Sequence, residues 1–158
     1  MADRKKFKLW PVLTVILILA ADRVTKELAP GIPAEGITLI PGVVGLRYAK
    51  NTGAAFSLLS GMPFLLGLLS LAVIAAGYIW LRKKPIRTLP LTGLALMAGG
   101  AAGNMIDRLV RGFVPDMIET LFVNFPVFNA ADSCLTVGCV LVMISLLSKD
   151  GMMEIHNS

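Results

Sequence analysis

Several residues that soluble enzymes commonly rely on are scarce in this sequence. Charged residues make up 16% of its 158 residues and hydrophobic ones 56%, whereas a soluble domain carries about a quarter charged residues. Too little polar surface is left to cover a globule, so the composition indicates a chain that partly faces lipid. The single histidine, His156, lies in the C-terminal tail, which leaves a serine or cysteine nucleophile in the apolar region without an imidazole base.

Cysteine and metal- or phosphate-binding motifs are equally scarce. Cys134 and Cys139 lie five residues apart in the last apolar run without a histidine nearby, and we interpret them as free, buried, small hydrophobic residues. No His-Glu-x-x-His and no G-x-x-x-x-G-K-[ST] motif occurs, which excludes a zinc protease of that type and a P-loop enzyme. We expect no metal site and no cofactor. The net charge of +5 comes from basic residues at the ends of apolar runs, so we expect no nucleic-acid partner.

Four long apolar segments stand out in the sequence, at about 9–28, 64–81, 89–106 and 130–147. Each is near the length of about 20 residues that crosses a bilayer. We therefore predict a mainly α, integral membrane protein with four transmembrane helices, folded as a single membrane-embedded domain over residues 1–158. The third segment is rich in glycine and alanine, which let helices approach closely, so we expect the third helix to be central.

The distribution of lysine and arginine predicts the orientation. Nine of them precede the first segment, separate the second from the third or follow the fourth, against four in the other two connections. The positive-inside rule then places both termini in the cytoplasm and the connections at about 29–63 and 107–129 on the outer face. The first segment continues through Asp22, Arg23 and Lys26 without a clear A-x-A cleavage site, so we interpret it as a retained helix rather than a cleaved signal peptide.

The outer connections differ in pattern. In the first, Ile37–Ile40 and Val43–Tyr48 are prone to form strands and flank the turn dipeptide Pro41-Gly42, which predicts a small sheet or hairpin on the outer face between helices 1 and 2. In the second, residues 123–128 look extended, yet a helical stripe also fits the apolar residues of 117–125. Both interpretations stay open.

Five acidic residues near helix ends on the outer side are the candidates for chemistry, because ionisable groups at a bilayer are costly unless they are paired or functional. They are Asp22, Asp107, Asp116, Glu119 and Asp132. Asp22 has Lys26 at i+4 and Asp107 has Arg108 beside it, so we interpret both as members of ion pairs that hold helix ends.

Asp116 and Asp132 are different. Asp116 has apolar neighbours, and Asp132 stands at the start of the fourth segment, where Asn129 is a natural N-cap and capping is the competing role. Two carboxylates brought close together titrate as a unit, one ionised and one protonated, and so supply a base and an acid from one residue type.

Five segments, taken in order, resemble the bacterial lipoprotein signal peptidase family, also called signal peptidase II. They are Asp22–Lys26, Asn51–Phe56, Gly99–Arg108, Val114–Ile118 and Phe128–Ser133. The resemblance implies a four-helix aspartyl protease of the bacterial inner membrane, active at the outer face, with a small β-rich periplasmic cradle between helices 1 and 2. It implies as substrates prolipoproteins carrying a diacylglyceryl-modified cysteine, cut immediately before that cysteine, with membrane lipid as the other partner. We expect a monomer.

The resemblance also implies roles for single residues. Asp116 and Asp132 match the family's catalytic pair, while Asp22 and Lys26 match residues tied to structure near the site. Other positions match supporting or substrate-contacting residues, namely Asn51, Gly53, Gly103, Asn104, Arg108 and Asn129. Pro115 and Met117 depart from the commoner residues on either side of the aspartate, and Pro115 puts the local backbone pairing in doubt because it lacks a backbone donor.

Two other functions stay open from the residues alone. One is a small transporter or channel component whose ion path is lined by Asp22, Lys26 and Asp107. It predicts charges near the bilayer midplane, often in repeated halves, whereas here they crowd one interface and the halves show no repeat. The other is a non-catalytic assembly protein in which Asp116 and Asp132 only hold structure.

Overall fold

The chain is mainly helical, with one small antiparallel sheet. The computed structural model describes residues 9–53, 59–82 and 84–148. Its elements, in chain order, are α1 (Trp10–Leu28), a 3-10 turn (Ala29–Gly31), β1 (Ile37–Ile40), β2 (Val44–Asn51), α2 (Pro63–Leu81), α3 (Thr88–Val110), β3 (Val114–Thr120) and α4 (Ala130–Leu147). All four predicted apolar segments are helical, and α3 runs four residues beyond the predicted end at 106.

Three of the helices in the described ranges, α2, α3 and α4, are long and apolar enough to cross a membrane. α1 has the length, at 19 residues, but its last two turns carry the charged residues Asp22, Arg23, Lys26 and Glu27. Two of these, Asp22 and Lys26, are buried against the rest of the protein. Half of the charges that lower the mean hydropathy of α1 therefore point inward, while Arg23 and Glu27 are exposed.

α3 packs against each of the other helices, in the central position that its small residues predict. The closest approach is to α4, where a Cβ atom on Gly138 would lie 2.5 Å from the carbonyl oxygen of Gly93, too close for any side chain. Gly100 lies against the backbone of Ala131 with equally little room. The start of α4 is thus held directly against the C-terminal half of α3.

The sheet has the strand order β1-β2-β3. β1 and β2 form the predicted hairpin, and Gly42 in its turn has a φ of +71°, which glycine adopts without strain. The prediction that the cradle belongs only to the connection between helices 1 and 2 is incomplete, because β3 comes from the second outer connection and pairs with β2.

The helical interpretation of residues 117–125 is wrong, since Met117 and Ile118 lie in β3. Their backbone amides donate to the carbonyl oxygen of Phe128, at 3.0 and 2.8 Å, which satisfies them in an extended conformation. Pro115 stands in the same strand opposite Lys50. The strand pairing is therefore kept despite the missing donor.

The most deeply buried side chains of the described residues include polar ones. Lys26 and Asn129 are 0% exposed and Asp116 is 2% exposed, while many leucine and valine side chains of the helices face outward. This arrangement suits a protein surrounded by lipid. Cys134 and Cys139 are free, but Cys139 lies on the outward surface of α4, so the prediction that both are buried inside the protein is wrong for Cys139.

Candidate active site

A cavity of about 790 Å³ opens where the sheet meets the ends of α3 and α4. The end of β2, the middle of β3, residues 125–128 and the first two turns of α4 line it. Asp116 and Asp132 both lie on its wall, together with Arg108 and Asn51. Two carboxylates that are 16 residues apart in the chain thus share one space with a cation.

Asp116 stands in β3 opposite Ala49 of β2. Its Oδ1 accepts a hydrogen bond from Nδ2 of Asn129 at 2.6 Å, and its Oδ2 accepts one from Nδ2 of Asn51 at 3.0 Å. Burial raises the pKa of Asp116 to about 6; the two amide donors act against this rise, and the nearby charge of Asp132 adds to it. Protonated and ionised forms of Asp116 are therefore both accessible close to neutral pH.

Asp132 is the third residue of α4 and forms a capping box with Asn129. Its backbone amide donates to Oδ1 of Asn129 at 3.0 Å, and its Oδ2 accepts from the backbone amide of Asn129 at 3.2 Å. Its other oxygen, Oδ1, accepts from Nδ2 of Asn104 at 2.7 Å. The capping role considered from the sequence is present, and the same carboxylate also faces the cavity.

Asn129 links the two carboxylates. Its Oδ1 is taken by the amide of Asp132, so its Nδ2 points to Asp116. The residue before it, Phe128, bonds through its carbonyl oxygen to β3. From the sequence, the side chains of Asn104 and Asn129 could contact the substrate backbone or hydrogen-bond the aspartates, and the structure shows hydrogen bonds from both to the aspartates.

Lys26 is the centre of a buried charge cluster behind the cavity. Its Nζ lies 2.7 Å from Oδ2 of Asp22, 2.7 Å from Oδ2 of Asp107 and 2.8 Å from Oδ1 of Asn104. The i+4 pairing with Asp22 follows the prediction, whereas Arg108 is not an ion-pair partner of Asp107. Neighbours in a helix point in different directions, and Asp107 instead meets Lys26 and, at 3.3 Å, Nε of Arg111.

Arg108 turns toward the cavity. Its Nη2 donates to the carbonyl oxygen of Gly53 at 2.8 Å, and the amide of Gly53 donates to Oδ1 of Asn51 at 2.9 Å. The guanidinium interacts electrostatically with Asp132 and Asp116. Arg108 thus places a positive charge near both carboxylates and holds the residues after β2 at the rim.

Gly103 is the remaining residue that the sequence singled out. It does not line the cavity, but lies against Asp22, whose Oδ2 would be 2.5 Å from a Cβ atom at this position. Its missing side chain therefore leaves space for the carboxylate that pairs with Lys26. Within the described ranges, no group of three or more His, Cys, Asp or Glu residues could hold a metal ion.

Comparison with known proteins shows which proteins this chain is related to. Residues 14–148 match the family model described as Signal peptidase (SPase) II. Proteins named lipoprotein signal peptidase are similar over most of their length. That of Latilactobacillus sakei is 38% identical over 142 residues, which cover 88% of this chain and 94% of the relative. That of Streptococcus pneumoniae is 39% identical over 140 residues, covering 86% and 91%.

Solved structures agree with these matches. One described as a bacterial membrane enzyme aligns with a TM-score of 0.83 and 31% identity, covering 91% of this chain and 90% of that one. A second with the same description aligns with a TM-score of 0.78 and 29% identity, covering 90% and 96%. The whole fold, including the sheet, is therefore shared with membrane enzymes.

Proposed function

The chain belongs to the signal peptidase II family, and from this premise we propose that it is an aspartyl endopeptidase that removes the signal peptide from diacylglyceryl-modified prolipoproteins. We place the cut immediately before the lipidated cysteine. The observation that carries the proposal is the meeting of Asp116 and Asp132, from separate elements, on the wall of one cavity.

In this proposal the two carboxylates have different roles. Asp116 holds the proton and polarises the scissile carbonyl, because burial raises its pKa to about 6. Asp132 is the base that takes a proton from water. It stands at a helix N-terminus, receives donors from Asn104 and the backbone of Asn129, and lies near the Arg108 cation, all of which favour a carboxylate.

The reaction is then the addition of water to a peptide carbonyl. Asp132 accepts a proton as the water oxygen attacks, and Asp116 donates its proton to the carbonyl oxygen. As the tetrahedral intermediate collapses, Asp132 gives its proton to the leaving nitrogen, the C–N bond breaks, and Asp116 takes a proton back from a hydroxyl of the intermediate. Asn51 and Asn129 keep the Asp116 carboxyl in place, and Arg108 and Gly53 define the rim where the substrate backbone passes.

The cavity wall suits a lipidated peptide. Beside the carboxylates it exposes apolar side chains, including Phe128, Leu135 and Val137. An extended cleavage segment would meet the polar rim while an acyl chain lies along the apolar side of α4. Membrane lipid surrounds the protein. One copy of the chain contains both carboxylates, so in this proposal the active unit is a monomer.

We further propose that α1 is a fourth membrane span and that residues 1–158 form a single membrane-embedded domain. Of the charges in its last two turns, Asp22 and Lys26 pair inside the protein with each other and with Asp107, while Arg23 and Glu27 pair with each other on the surface. Four spans place both termini in the cytoplasm by the distribution of lysine and arginine. The sheet and the cavity then lie at the outer face of the bacterial inner membrane.

The test uses purified protein in detergent with a diacylglyceryl-modified prolipoprotein as substrate. We expect the parent to cleave it and Asp116→Asn or Asp132→Asn to lose roughly 10²–10⁴-fold in kcat/KM, which is the contribution of proton transfer by a positioned carboxylate. Glu119→Gln, on the same strand but paired with Arg47, should cleave like the parent.

Size-exclusion profiles and thermal melts establish that each variant is folded. Substantial cleavage by both folded aspartate variants would refute the two-carboxylate mechanism, and no cleavage by a folded parent would refute the proposed activity. A chelator in the same assay should leave the rate unchanged, because the proposed mechanism uses no metal ion.

A further inference from the structure

The buried Lys26 ammonium has three close polar neighbours. Lys26 is 0% exposed, and its Nζ lies 2.7 to 2.8 Å from oxygens of Asp22, Asp107 and Asn104. An ammonium has N–H donors and no acceptor. Two of the neighbours are carboxylates that form ion pairs, and the third, Oδ1 of Asn104, accepts a hydrogen bond that leads out of the ion pairs toward the cavity.

That third bond fixes the orientation of an amide. Only an oxygen is an acceptable neighbour for a group that can only donate, so the Asn104 oxygen must face Lys26. Nδ2 of Asn129 adds a second donor to the same oxygen at 3.3 Å. The Asn104 nitrogen is left on the other side, where it donates to Oδ1 of Asp132 at 2.7 Å.

We propose that Lys26 is a positioning residue for hydrolysis, acting through Asn104 so that an N–H donor, and not a carbonyl oxygen, faces the Asp132 carboxylate. The inference rests on the proposed function, because it assigns a consequence to the state of Asp132. Without Lys26 the Asn104 oxygen keeps only the longer bond from Asn129, at 3.3 Å, so the amide is held less firmly and the donor to the proposed base is weakened.

Other charged groups surround Asp132 and Lys26, and the choice of variants must take them into account. Asp132 is faced by Asp116 from β3 and by Arg108 from α3. Lys26 is faced by Asp22 from α1 and by Asp107 from α3, and Asp107 also meets Arg111 and Arg23. Removing Lys26 alone would strand buried carboxylates and change the field at the cavity, so the substitution must remove one carboxylate with it.

The variant Asp22→Asn/Lys26→Met meets this need, because it deletes one negative and one positive charge together. We expect kcat for prolipoprotein cleavage to fall at least about tenfold while KM stays within about twofold, since the substrate rim is untouched. Glu27→Gln is the matched control, because Glu27 lies on the same helix as Lys26. The substitution removes the ion pairs of Glu27 with Arg23 and Arg111 but leaves the surroundings of Asn104 unchanged. We expect this variant to cleave like the parent.

A double-mutant cycle separates positioning from a general structural role. In an Asn104→Ala background the amide is already gone, so adding Asp22→Asn/Lys26→Met should lower kcat by less than about twofold. Equal losses of kcat in the native and Asn104→Ala backgrounds would overturn the proposal. An unchanged kcat for Asp22→Asn/Lys26→Met in the native background would overturn it too. Lys26→Arg, which keeps a donor-only cation, should retain more activity than the methionine variant.

Folding is followed by size exclusion and thermal melts. If Asp22→Asn/Lys26→Met does not fold, Asp107→Asn/Lys26→Met takes its place, since Glu27 still pairs with both Arg23 and Arg111. Failure of both pairs to fold would show that Lys26 holds the fold rather than the amide, and would also overturn the proposal. A parent that does not cleave refutes the proposed function instead, which keeps the two failures distinct.

Discussion

Asp116 is held between opposing influences at the scale of a single residue. It is 2% exposed, which favours the neutral acid, yet both of its oxygens accept amide hydrogen bonds, which favour the carboxylate. Burial prevails, and the pKa is about 6 instead of 3.8. The folded protein therefore binds a proton at this site more tightly than the unfolded chain does.

This difference predicts a pH dependence of stability. The contribution of Asp116 is fully present below about pH 4 and is lost as the pH rises through about 6, and its full size is on the order of 3 kcal/mol. We expect the thermal midpoint of the parent in detergent to fall from pH 4 to pH 7 relative to that of Asp116→Asn. Parallel curves for the two proteins would contradict the assignment.

The same residue predicts how activity responds to pH. If Asp116 must be protonated in the free enzyme, kcat/KM should decrease as the pH rises through about 6. Rates at a fixed low substrate concentration across pH 5 to pH 8 measure this decrease. A flat profile would show that the proton on Asp116 is not required.

Only some of the contacts in the site could be predicted from residue patterns in the sequence. The Asp22–Lys26 pair could be predicted because i and i+4 share a helix face. The contact of Lys26 with Asp107 could not, since it joins two helices whose relative rotation is set by packing along glycines. Asn51 likewise meets Asp116 only because β2 and β3 pair.

At the scale of elements, α3 and α4 are held together by glycine contacts. Gly138→Ala would place a Cβ atom 2.5 Å from the Gly93 carbonyl oxygen, so we expect a loss of about 1–3 kcal/mol in unfolding free energy. We also expect a lower rate of prolipoprotein cleavage, because Asp132 and Asn129 lie at the start of α4. Thermal or denaturant unfolding in detergent gives the stability, and prolipoprotein cleavage gives the activity.

Gly77→Ala is the matched control for this change. Gly77 lies inside α2, and no atom lies within 4 Å of the position that a Cβ atom would take there. Alanine at this position should therefore be neutral or stabilise the helix by roughly 0.5–1 kcal/mol. Equal destabilisation by both substitutions would show that the close approach of α3 and α4 is not the cause.

Elements were predictable from sequence to different degrees. Long apolar runs mark all four helices, and Pro41-Gly42 marks the hairpin. β3 was hidden because its apolar residues also fit a helical stripe and because Pro115 argues against a strand. Its conformation depends on backbone bonds to β2 and Phe128, which lie outside any local window of sequence.

At the scale of the whole molecule, the proposed four spans make a specific prediction about sidedness. In a Cys134→Ser/Cys139→Ser background, Glu35→Cys should react with a membrane-impermeant thiol reagent added outside spheroplasts. Arg82→Cys and Leu9→Cys should react only after permeabilisation, because both would lie at the cytoplasmic side. Labelling of Leu9→Cys from outside would show that α1 does not cross the membrane.

The buried Lys26 cluster also has a consequence for the order of events during synthesis. Lys26 and Asp132 are 106 residues apart, and at roughly 5–20 residues per second the ribosome needs roughly 5–20 s to pass from one to the other. Through part of that interval α1 is present without Asp107, and until the end the cavity lacks its second carboxylate. On the proposed two-carboxylate mechanism, a chain that is still being synthesised cannot cleave a peptide, and it gains activity only when its last helix joins the first three.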